Sequence, residues 1–339
     1  MPSMTISAKQ IVSIAAEVFG SSTEVESCSE ILPSSECGIP KVCGCNANQS
    51  FRVRLRGEPQ EYVFRFPRGH RDDLYEKERT NYRLVAANTD IPVPRVHRID
   101  RSKRLVPVGY MVMDFMAGDE ATFLSHPQNP RTDQQEKDEI QEKTGYCYAQ
   151  VHNISREASS PRSAIDRLLY NLQQLENVVK DGPFRVSLTK IDQCRAVVEG
   201  DGDLLFEPES LCVGDSEFHF EKIDGEWNVA FVCDMEWVGF DDPCQDLFML
   251  ACAPRRLWGF DRPFALDEQE LATRACMRGY EQLREIDYAR LARMALYKQL
   301  GAMCSCLDQV YRPEKRAFMK SREQTYVNLV AAVAGLGLD

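Results

Sequence analysis

Long hydrophobic runs and a basic leader followed by an apolar segment are both missing from this sequence. No apolar stretch of about 18 residues occurs in the chain, so neither a membrane span nor a secretory signal is expected. A cytoplasmic protein is expected instead. An excess of positive charge is missing too, because the formal net charge is -11 at pH 7. Nucleic-acid binding needs a surface rich in lysine and arginine, so no nucleic-acid partner is expected. The acidic balance is compatible with a cationic substrate, although solubility alone is the simpler explanation.

The cysteine spacing of a zinc site is also missing. Thirteen cysteines are present, but many fall in apolar segments such as FVCD and MLACA, and no secretory signal accompanies them. The close pairs Cys43/Cys45 and Cys304/Cys306 are C-x-C rather than C-x-x-C, and no histidine cluster accompanies them. We therefore expect free, reduced thiols and no structural zinc.

Hydrophobic periodicity divides the chain into a mixed first part and a helical second part. With 43% hydrophobic and 27% charged residues, a soluble globular protein of one large or two modest domains is expected. The first part predicts a helix at 6–19, a hairpin of 51–55 with 61–66, a helix at 72–88, an extended segment at 91–99 and a strand at 109–118. Helical periods then dominate, at 136–153, 163–180, 266–284 and 287–309. The economical architecture is a smaller α+β lobe followed by a mainly helical lobe.

One acidic residue lies on the apolar face of the helix at 72–88. Glu78 falls at i+4 steps between Leu74 and Tyr82, which turns it towards the protein interior. A buried carboxylate needs a partner, and Arg65 on the preceding strand is the nearest candidate. If the helix is rotated, Glu78 is instead a solvated side chain, and the residues alone leave both arrangements open.

The segment at 211–250 spaces acidic residues as a phosphoryl-transfer site requires. Alternating apolar residues flank an Asp-Gly pair, which predicts a hairpin. Asp215 before the hairpin and Asp234 after it are then expected at the same end, where two carboxylates can share a magnesium-nucleotide site. On spacing alone, ordinary turn and cap roles explain these two residues better. The acidic residues Glu236, Asp241 and Asp242 are expected to be solvated loop charges unless one turns inward.

A set of short motifs occurs in a characteristic order along residues 45–250. In chain order these are Arg65, Glu78, the IPVP segment, Met113-Asp114-Phe115-Met116, Val151-His152, Asp215, Asp234-Met235-Glu236-Trp237 and Asp242-Pro243-Cys244-Gln245-Asp246-Leu247. Each motif is weak alone, whereas the ordered set is a strong signal. The set resembles the aminoglycoside phosphotransferase and choline kinase-like family.

This resemblance implies a two-lobed, protein-kinase-like α+β fold. Its small N-terminal lobe, an antiparallel sheet at residues 1–116, would bind the nucleotide, and its larger, mainly helical C-terminal lobe at 117–339 would carry the catalytic loop and the acceptor site. The implied activity is a phosphotransferase, or kinase, that uses ATP and Mg²⁺ and moves the γ-phosphoryl group to a hydroxyl. The hinge that meets adenine through backbone groups corresponds to Asp114, Phe115 and Met116.

The same resemblance implies roles for individual side chains. Arg65 corresponds to the basic residue that holds the nucleotide phosphates, and Glu78 to its helix partner. Asp215 corresponds to the catalytic base and Asp234 to the metal-binding aspartate. Asp246 corresponds to a buried structural aspartate that braces the catalytic loop.

Two positions depart from the family pattern, because Val213 stands at the leading histidine and Phe220 at the trailing asparagine. The family's loop usually reads H-G-D-x-x-x-x-N, whereas this chain reads V-G-D-S-E-F-H-F and ends at Phe220. A phenyl ring cannot coordinate Mg²⁺, so the usual second metal ligand is absent there. Glu217 is the candidate for a replacement carboxylate. His219 is a poor magnesium ligand, and the strand period of two places it on the opposite face from Phe220.

Three interpretations follow. We favour an active phosphotransferase with Asp234 and Glu217 as metal ligands, because the base, the metal carboxylate and the phosphate clamp are all retained. The alternatives are a catalytically impaired protein that binds nucleotide or another ligand, and an enzyme of altered chemistry on the same fold. The acceptor is a small molecule, aminoglycoside-like or a biosynthetic intermediate, or a peptide, and acidic segments at 134–143 and 265–272 would attract a cation or form solvated helix faces. The sequence makes no prediction about the oligomeric state.

Overall fold

The chain folds as two compact units. The computed structural model describes residues 6–32, 34–36, 39–41, 48–68, 73–156, 163–181, 188–200, 209–214, 216–252, 268–294 and 323–335. The first unit comprises residues 1–151 and 213–238, and the second comprises 152–212 and 239–339. The division into functional lobes at residue 116 is a different partition and stays a prediction. Within the described ranges, every helix is too short or too polar to span a bilayer.

The described helices and strands are numbered in chain order. They are α1 (Ala8–Phe19), β1 (Val25–Ile31), β2 (Ser34–Glu36), β3 (Ile39–Lys41), β4 (Asn48–Leu55), β5 (Glu61–Pro67), α2 (Leu74–Asn88), β6 (Val96–Asp100), β7 (Tyr110–Asp114), β8 (Asp119–Glu120), α3 (Ala121–Leu124), α4 (Gln134–His152), β9 (Ser155–Arg156), α5 (Ser163–Asp181), α6 (Leu188–Gly200), β10 (Glu209–Cys212), β11 (Glu217–Ile223), β12 (Glu226–Cys233), a 3₁₀ helix (Met235–Trp237), β13 (Gly239–Asp241), α7 (Cys244–Cys252), α8 (Glu268–Thr273), α9 (Ala275–Glu281) and α10 (Glu323–Gly335).

An antiparallel five-stranded sheet, in the order β1-β4-β5-β7-β6, dominates the start of the first unit. Strand β4 buries Phe51, Val53 and Leu55 and exposes the arginines between them, as the strand period of two requires. These residues share a core with Ile11 and Ile14 of α1. The predicted hairpin of 51–55 with 61–66 is confirmed, since β4 and β5 pair antiparallel.

Helix α2 turns Glu78 inward. The side chain of Glu78 is completely buried, together with Tyr82 and Val85 of the same helix. This settles the alternative that the sequence left open, in favour of the unrotated helix. The reason is the helical period, because residues three or four apart lie on one face of a helix, and Glu78 shares its face with Tyr82 and Val85.

The hairpin of β11 and β12 extends the first unit. The two strands pair from Glu217 opposite Cys233 to Ile223 opposite Glu226, and β8 joins the edge of β11. Asp224 and Gly225 form the connecting turn with φ of 52° and 90°, a left-handed conformation that Asp and Gly tolerate. The predicted hairpin is therefore confirmed, and it ends where the 3₁₀ helix begins.

The second unit is mainly helical, with a small sheet of β13, β10 and β9. The predicted helix at 163–180 is confirmed by α5, and the one at 136–153 by α4, which lies in the first unit except for its last residue. The predicted helix at 266–284 is divided into α8 and α9 by an extended backbone at Arg274. Residues 295–309 of the last predicted helix lie outside the described residues. The sequence left open whether Asp242 lies in solvent or turns inward, and the side chain is buried and pairs with Arg290.

Cysteines of the described segments are free thiols, as expected. They include Cys28, Cys147, Cys194, Cys212, Cys233, Cys244 and Cys276. The two C-x-C pairs of the sequence lie outside the described residues.

Candidate functional site

A cavity of about 340 Å³ opens in the first unit. Apolar side chains contribute much of its wall, and they include Ile31, Val63, Pro94, Met113, Phe115 and Phe231. The polar side chains at the wall include Arg65, Glu217, His219 and Asp234. A mostly apolar wall with a few charged groups is typical of a small-molecule site.

Arg65 gathers three carboxylates at this cavity. Its Nη1 donates to both oxygens of Glu78, at 2.8 and 3.0 Å. Its Nη2 donates to Asp234 Oδ1 at 2.5 Å and to Glu236 Oε2 at 3.2 Å. With the Asn48 amide turned so that its oxygen faces the guanidinium, that oxygen lies 2.9 Å from Nε and 2.7 Å from Nη2. Strand β5, helix α2 and the 3₁₀ helix therefore meet at one guanidinium.

The charges of this cluster do not balance. One guanidinium faces three carboxylates, so the formal charge of the four ionised groups is +1 - 3 = -2. Burial raises the pKa of Glu78, against the opposing effect of Arg65. Burial alone would lower the pKa of Arg65, but Glu78 and Asp234 outweigh it and raise that pKa well above its ordinary value. Arg65 therefore stays charged, and a further cation would be stabilised here.

Two side chains of α2 fix the segment that carries Asp234. The Tyr82 hydroxyl donates to Glu78 at 2.7 Å and accepts from the Asp234 backbone N–H at 3.2 Å. The Asn81 amide donates to the carbonyls of Met235 and Val238, at 2.8 and 3.2 Å. These bonds hold Asp234 in a left-handed conformation, with φ of 62°, immediately before the 3₁₀ helix.

The predicted hinge residues Asp114, Phe115 and Met116 all line the cavity. The backbone N–H of Phe115 donates to the carbonyl of Glu61 at 2.8 Å, which continues the β5–β7 ladder by one residue. The Asp114 carboxylate lies 2.7 Å from His97 Nε2, and the Arg52 guanidinium lies 4.1 Å from the centre of the Phe115 ring. The predicted hinge segment is thus anchored to the sheet on both of its sides.

The predicted metal ligands Asp234 and Glu217 face the same cavity, whereas Phe220 does not. The Glu217 carboxylate accepts from the Thr122 hydroxyl at 3.3 Å. Phe220 is 1% exposed and packs in the interior. The carboxylate of Glu217 therefore lies at the cavity, whereas Phe220, at the position of the family's usual metal ligand, is buried.

Asp215 lies outside the described residues, but both of its neighbours are described. Gly214 has φ of 68°, and Ser216 is buried. The Ser216 hydroxyl lies 2.8 Å from the Val213 carbonyl and 3.0 Å from the Asp234 carbonyl. The loop on either side of Asp215 is thereby tied to the backbone of Asp234.

Comparison with known proteins decides the family. A model of the APH phosphotransferase enzyme family matches residues 41–286. The chain belongs to this family. Comparison with curated proteins finds no match.

Three solved structures of similar fold are distant from this chain in sequence. A candidate aminoglycoside phosphotransferase from Ralstonia eutropha JMP134 is 14% identical with a TM-score of 0.62, over 99% of this chain and 100% of that one. Wild-type aminoglycoside 2'-phosphotransferase-IIIa, solved with GDP, is 13% identical with a TM-score of 0.60, over 98% and 100%. Aminoglycoside phosphotransferase APH(4)-Ia is also 13% identical with a TM-score of 0.60, over 98% of this chain and 100% of that one. These similarities confirm the predicted two-lobed, protein-kinase-like α+β fold.

His219 is a cavity residue that the sequence of this APH-family chain left without a role. Its ring stacks on Phe231 at 4.2 Å between centres. Its Nδ1 lies 3.4 Å from the Gly118 carbonyl, which can only accept, so Nε2 is free to accept from the Cys233 thiol at 3.4 Å. Burial lowers the pKa of His219 to about 4, so the imidazole is neutral at pH 7. The predicted face is confirmed, since His219 lines the cavity while Phe220 is buried.

Glu236 and Asn48 are members of the Arg65 cluster that sequence reasoning missed. Glu236 was expected in solvent unless turned inward, and it is in fact buried against Arg65. Its position two residues after Asp234 was the available signal, because a single 3₁₀ turn can bring both side chains to one partner. Asn48 offered no comparable signal, since a lone amide at a strand start is common.

Asp246 lies in the second unit, in a buried cluster with His152. Its Oδ2 is 3.1 Å from His152 Nε2, and His152 Nδ1 is 2.9 Å from the Tyr280 hydroxyl. Cys212 places its thiol among the same groups. These contacts are consistent with a structural position for Asp246, and its bracing of the catalytic loop stays a prediction.

Proposed function

We propose that this APH-family protein transfers the γ-phosphoryl group of ATP to a hydroxyl of a small molecule or a peptide. The observation that carries the proposal is the Arg65 cluster. Residues that are distant in sequence, Glu78, Asp234 and Glu236, meet at one guanidinium on the wall of a cavity. The cavity also exposes the hinge segment and Glu217. A purely structural ion pair would need neither the cavity nor a surplus of carboxylates.

The residues present fit a nucleotide with Mg²⁺. The apolar wall suits a purine, and the hinge would meet it through backbone groups. Asp234 and Glu217 would hold the ion, because Mg²⁺ prefers oxygen ligands and the Arg65 cluster carries a net negative charge. When bound, the ion neutralises the phosphate charge that develops during transfer. A thermostable mutant of APH(4)-Ia was solved with AMP-PNP and hygromycin B, which supports a nucleotide and a small-molecule acceptor here.

Asp215 would act on the acceptor. Its carboxylate takes the hydroxyl proton while the acceptor oxygen bonds to the γ-phosphorus and the bond from that phosphorus to ADP breaks. The bonds of Ser216 to the Val213 and Asp234 carbonyls would hold the loop that carries this base beside the metal carboxylate. Arg65 would orient Asp234 and neutralise negative charge at the phosphates.

Substitution of the base tests the proposal. Asp215→Asn should abolish phosphoryl transfer to a panel of hydroxyl acceptors while leaving ATP binding nearly intact. The matched control is Asp224→Asn, because Asp224 is an exposed turn residue at the far end of the hairpin and Asn also tolerates its left-handed φ. Full transfer by the Asp215 variant would contradict the assignment of the base.

A binding-only function is the second candidate, and the buried Phe220 favours it. With a phenyl ring at the matched ligand position, ordinary metal binding depends on Glu217. Glu217→Ala should therefore raise the Mg²⁺ concentration needed for half-maximal transfer steeply, and an unchanged requirement would remove Glu217 from the site. Wild-type protein that binds ATP but transfers no phosphate to any acceptor would replace the kinase proposal with the binding-only function.

A further inference from the structure

A cysteine and a histidine lie side by side on one wall of the cavity. The Cys233 thiol is 3.4 Å from His219 Nε2, and both side chains line the cavity and are partly exposed. Their chemistry differs from that of Asp234 and Glu217, because thiolate sulfur and imidazole nitrogen suit Zn²⁺, whereas Mg²⁺ takes oxygen ligands. Neither residue has a role in the proposed phosphoryl transfer.

The register of the β11–β12 hairpin brings the pair together. Glu217 lies opposite Cys233 and His219 lies opposite Phe231, so these four side chains belong to one face of the two strands. That face forms part of the cavity wall, since each of the four lines the cavity. Paired strands hold metal ligands more precisely than loops do.

The imidazole of His219 is already oriented as a metal ligand. Its Nδ1 lies 3.4 Å from the Gly118 carbonyl, which can only accept, so the proton is on Nδ1 and the lone pair of Nε2 faces Cys233. Metal-binding histidines have their second nitrogen fixed by a carbonyl or a carboxylate in the same manner. Stacking on Phe231, at 4.2 Å between ring centres, also fixes the plane of the ring.

The spacing of the two donor atoms suits zinc. Zinc–nitrogen bonds are about 2.0 to 2.1 Å long and zinc–sulfur bonds about 2.3 Å. Because the nitrogen and the sulfur are 3.4 Å apart, they would subtend an angle of roughly 103° at the ion, close to the tetrahedral value. An ion between His219 and Cys233 therefore needs little movement of either side chain.

We propose that His219 Nε2 and Cys233 Sγ bind a thiophilic divalent cation, Zn²⁺ above all, at a site separate from that of Mg²⁺. Burial raises the pKa of Cys233 well above its ordinary value, so the thiol holds its proton until the metal arrives. The sulfur–hydrogen bond is then exchanged for a sulfur–zinc bond, and the proton leaves to solvent. Water in the cavity completes the tetrahedral shell. The surplus of negative charge at the Arg65 cluster, which includes the next residue Asp234, also favours a cation here.

Cobalt(II) is the probe, because it occupies zinc sites and its bond to a thiolate absorbs in the near ultraviolet. Titration of the reduced full chain with Co²⁺, without nucleotide, should produce this absorption, and Zn²⁺ should displace the cobalt. Cys233→Ser should lose the part of the absorption that belongs to this site. The matched control Cys28→Ser, which removes an exposed thiol of β1, should keep all of it. His219→Phe keeps a ring on Phe231 but removes the nitrogen, so Co²⁺ should bind at least about 10-fold more weakly.

The assignment is overturned if Cys233→Ser absorbs as wild type does, or if His219→Phe binds Co²⁺ as tightly as wild type, since the thiol would then act alone. Excess Mg²⁺ should leave the absorption unchanged, and its loss would place the ion on the oxygen ligands instead. Should Cys233→Ser fail to fold, Cys233→Ala removes the same sulfur, and the same loss of absorption is expected. No nucleotide enters the experiment, so its failure leaves the proposed phosphoryl transfer untouched.

Discussion

The net charge of the Arg65 cluster predicts that substitution of Arg65 costs more unfolding free energy than substitution of Glu78. Arg65→Met leaves three carboxylates at a site where two are buried, without the cation that touches all of them. Removing one partner of a buried ion pair costs about 3 to 5 kcal/mol of unfolding free energy. Glu78→Gln instead reduces the surplus of negative charge and keeps the shape and one oxygen acceptor. Because burial already raises the pKa of Glu78, we expect this change to cost only about 1 to 2 kcal/mol, for one weakened hydrogen bond.

Urea denaturation followed by circular dichroism and by tryptophan fluorescence measures the difference. The two signals should change together if a single transition describes the unfolding. This has to be checked because the chain forms two compact units. The loss of unfolding free energy caused by Arg65→Met should become smaller between about pH 7 and about pH 5, because protons can then replace the missing cation at the buried carboxylates. Equal costs for the two variants, or a pH-independent deficit for Arg65→Met, would refute the charge argument.

Three further predictions test other parts of the structure. Because burial lowers the pKa of His219 to about 4, the unfolded chain takes up its proton first as the pH falls below about 6.5, and the unfolding free energy of the wild type should drop by about 3 kcal/mol by pH 4. His219→Gln should remove this contribution, and identical pH profiles of the two proteins would contradict it. His152→Ala deprives Asp246 of its imidazole partner and should cost about 3 kcal/mol or more, against about 1 kcal/mol for Tyr280→Phe in the same urea assay. Phe220→Asn restores the family residue but buries an amide, so it should lower stability by at least about 3 kcal/mol without reducing the Mg²⁺ requirement; a reduced requirement would show that position 220 reaches the metal.

The contact of Arg65 with Glu78 was predictable because two regular periods converge on it. The i+4 spacing of Leu74, Glu78 and Tyr82 fixed the inner face of α2. The hairpin of β4 and β5 fixed the strand that Arg65 occupies. Strand β5 is buried on both faces, so alternation alone could not show which way Arg65 points, and the motif order supplied that information.

The rest of the cluster lies where periodicity ends. Glu236 is in a single 3₁₀ turn that follows a left-handed residue, Asp234, and neither feature leaves a repeating pattern in the sequence. The segment that carries Glu236 is held by Asn81, which reaches across from α2 to the carbonyls of Met235 and Val238. Such side-chain to backbone contacts join residues more than 150 positions apart, as the 154-residue separation of Asn81 and Met235 shows. They are set by tertiary packing, so a sequence pattern cannot predict them.

The alternation of side chains along β11 explains why a carboxylate lies at the cavity although residue 220 is a phenylalanine. Side chains two apart on β11 share a face, so Glu217 and His219 lie together at the cavity while Phe218 and Phe220 are buried. A phenyl ring at position 220 therefore completes the core of the hairpin, and it does not fill a vacant metal position. The pairing of Glu217 with Cys233 brings Glu217 beside the residue that precedes Asp234. One strand register thus buries Phe220 and leaves an oxygen donor, Glu217, at the cavity. Under the proposed function, the charge at position 217 is therefore the feature on which metal binding would depend.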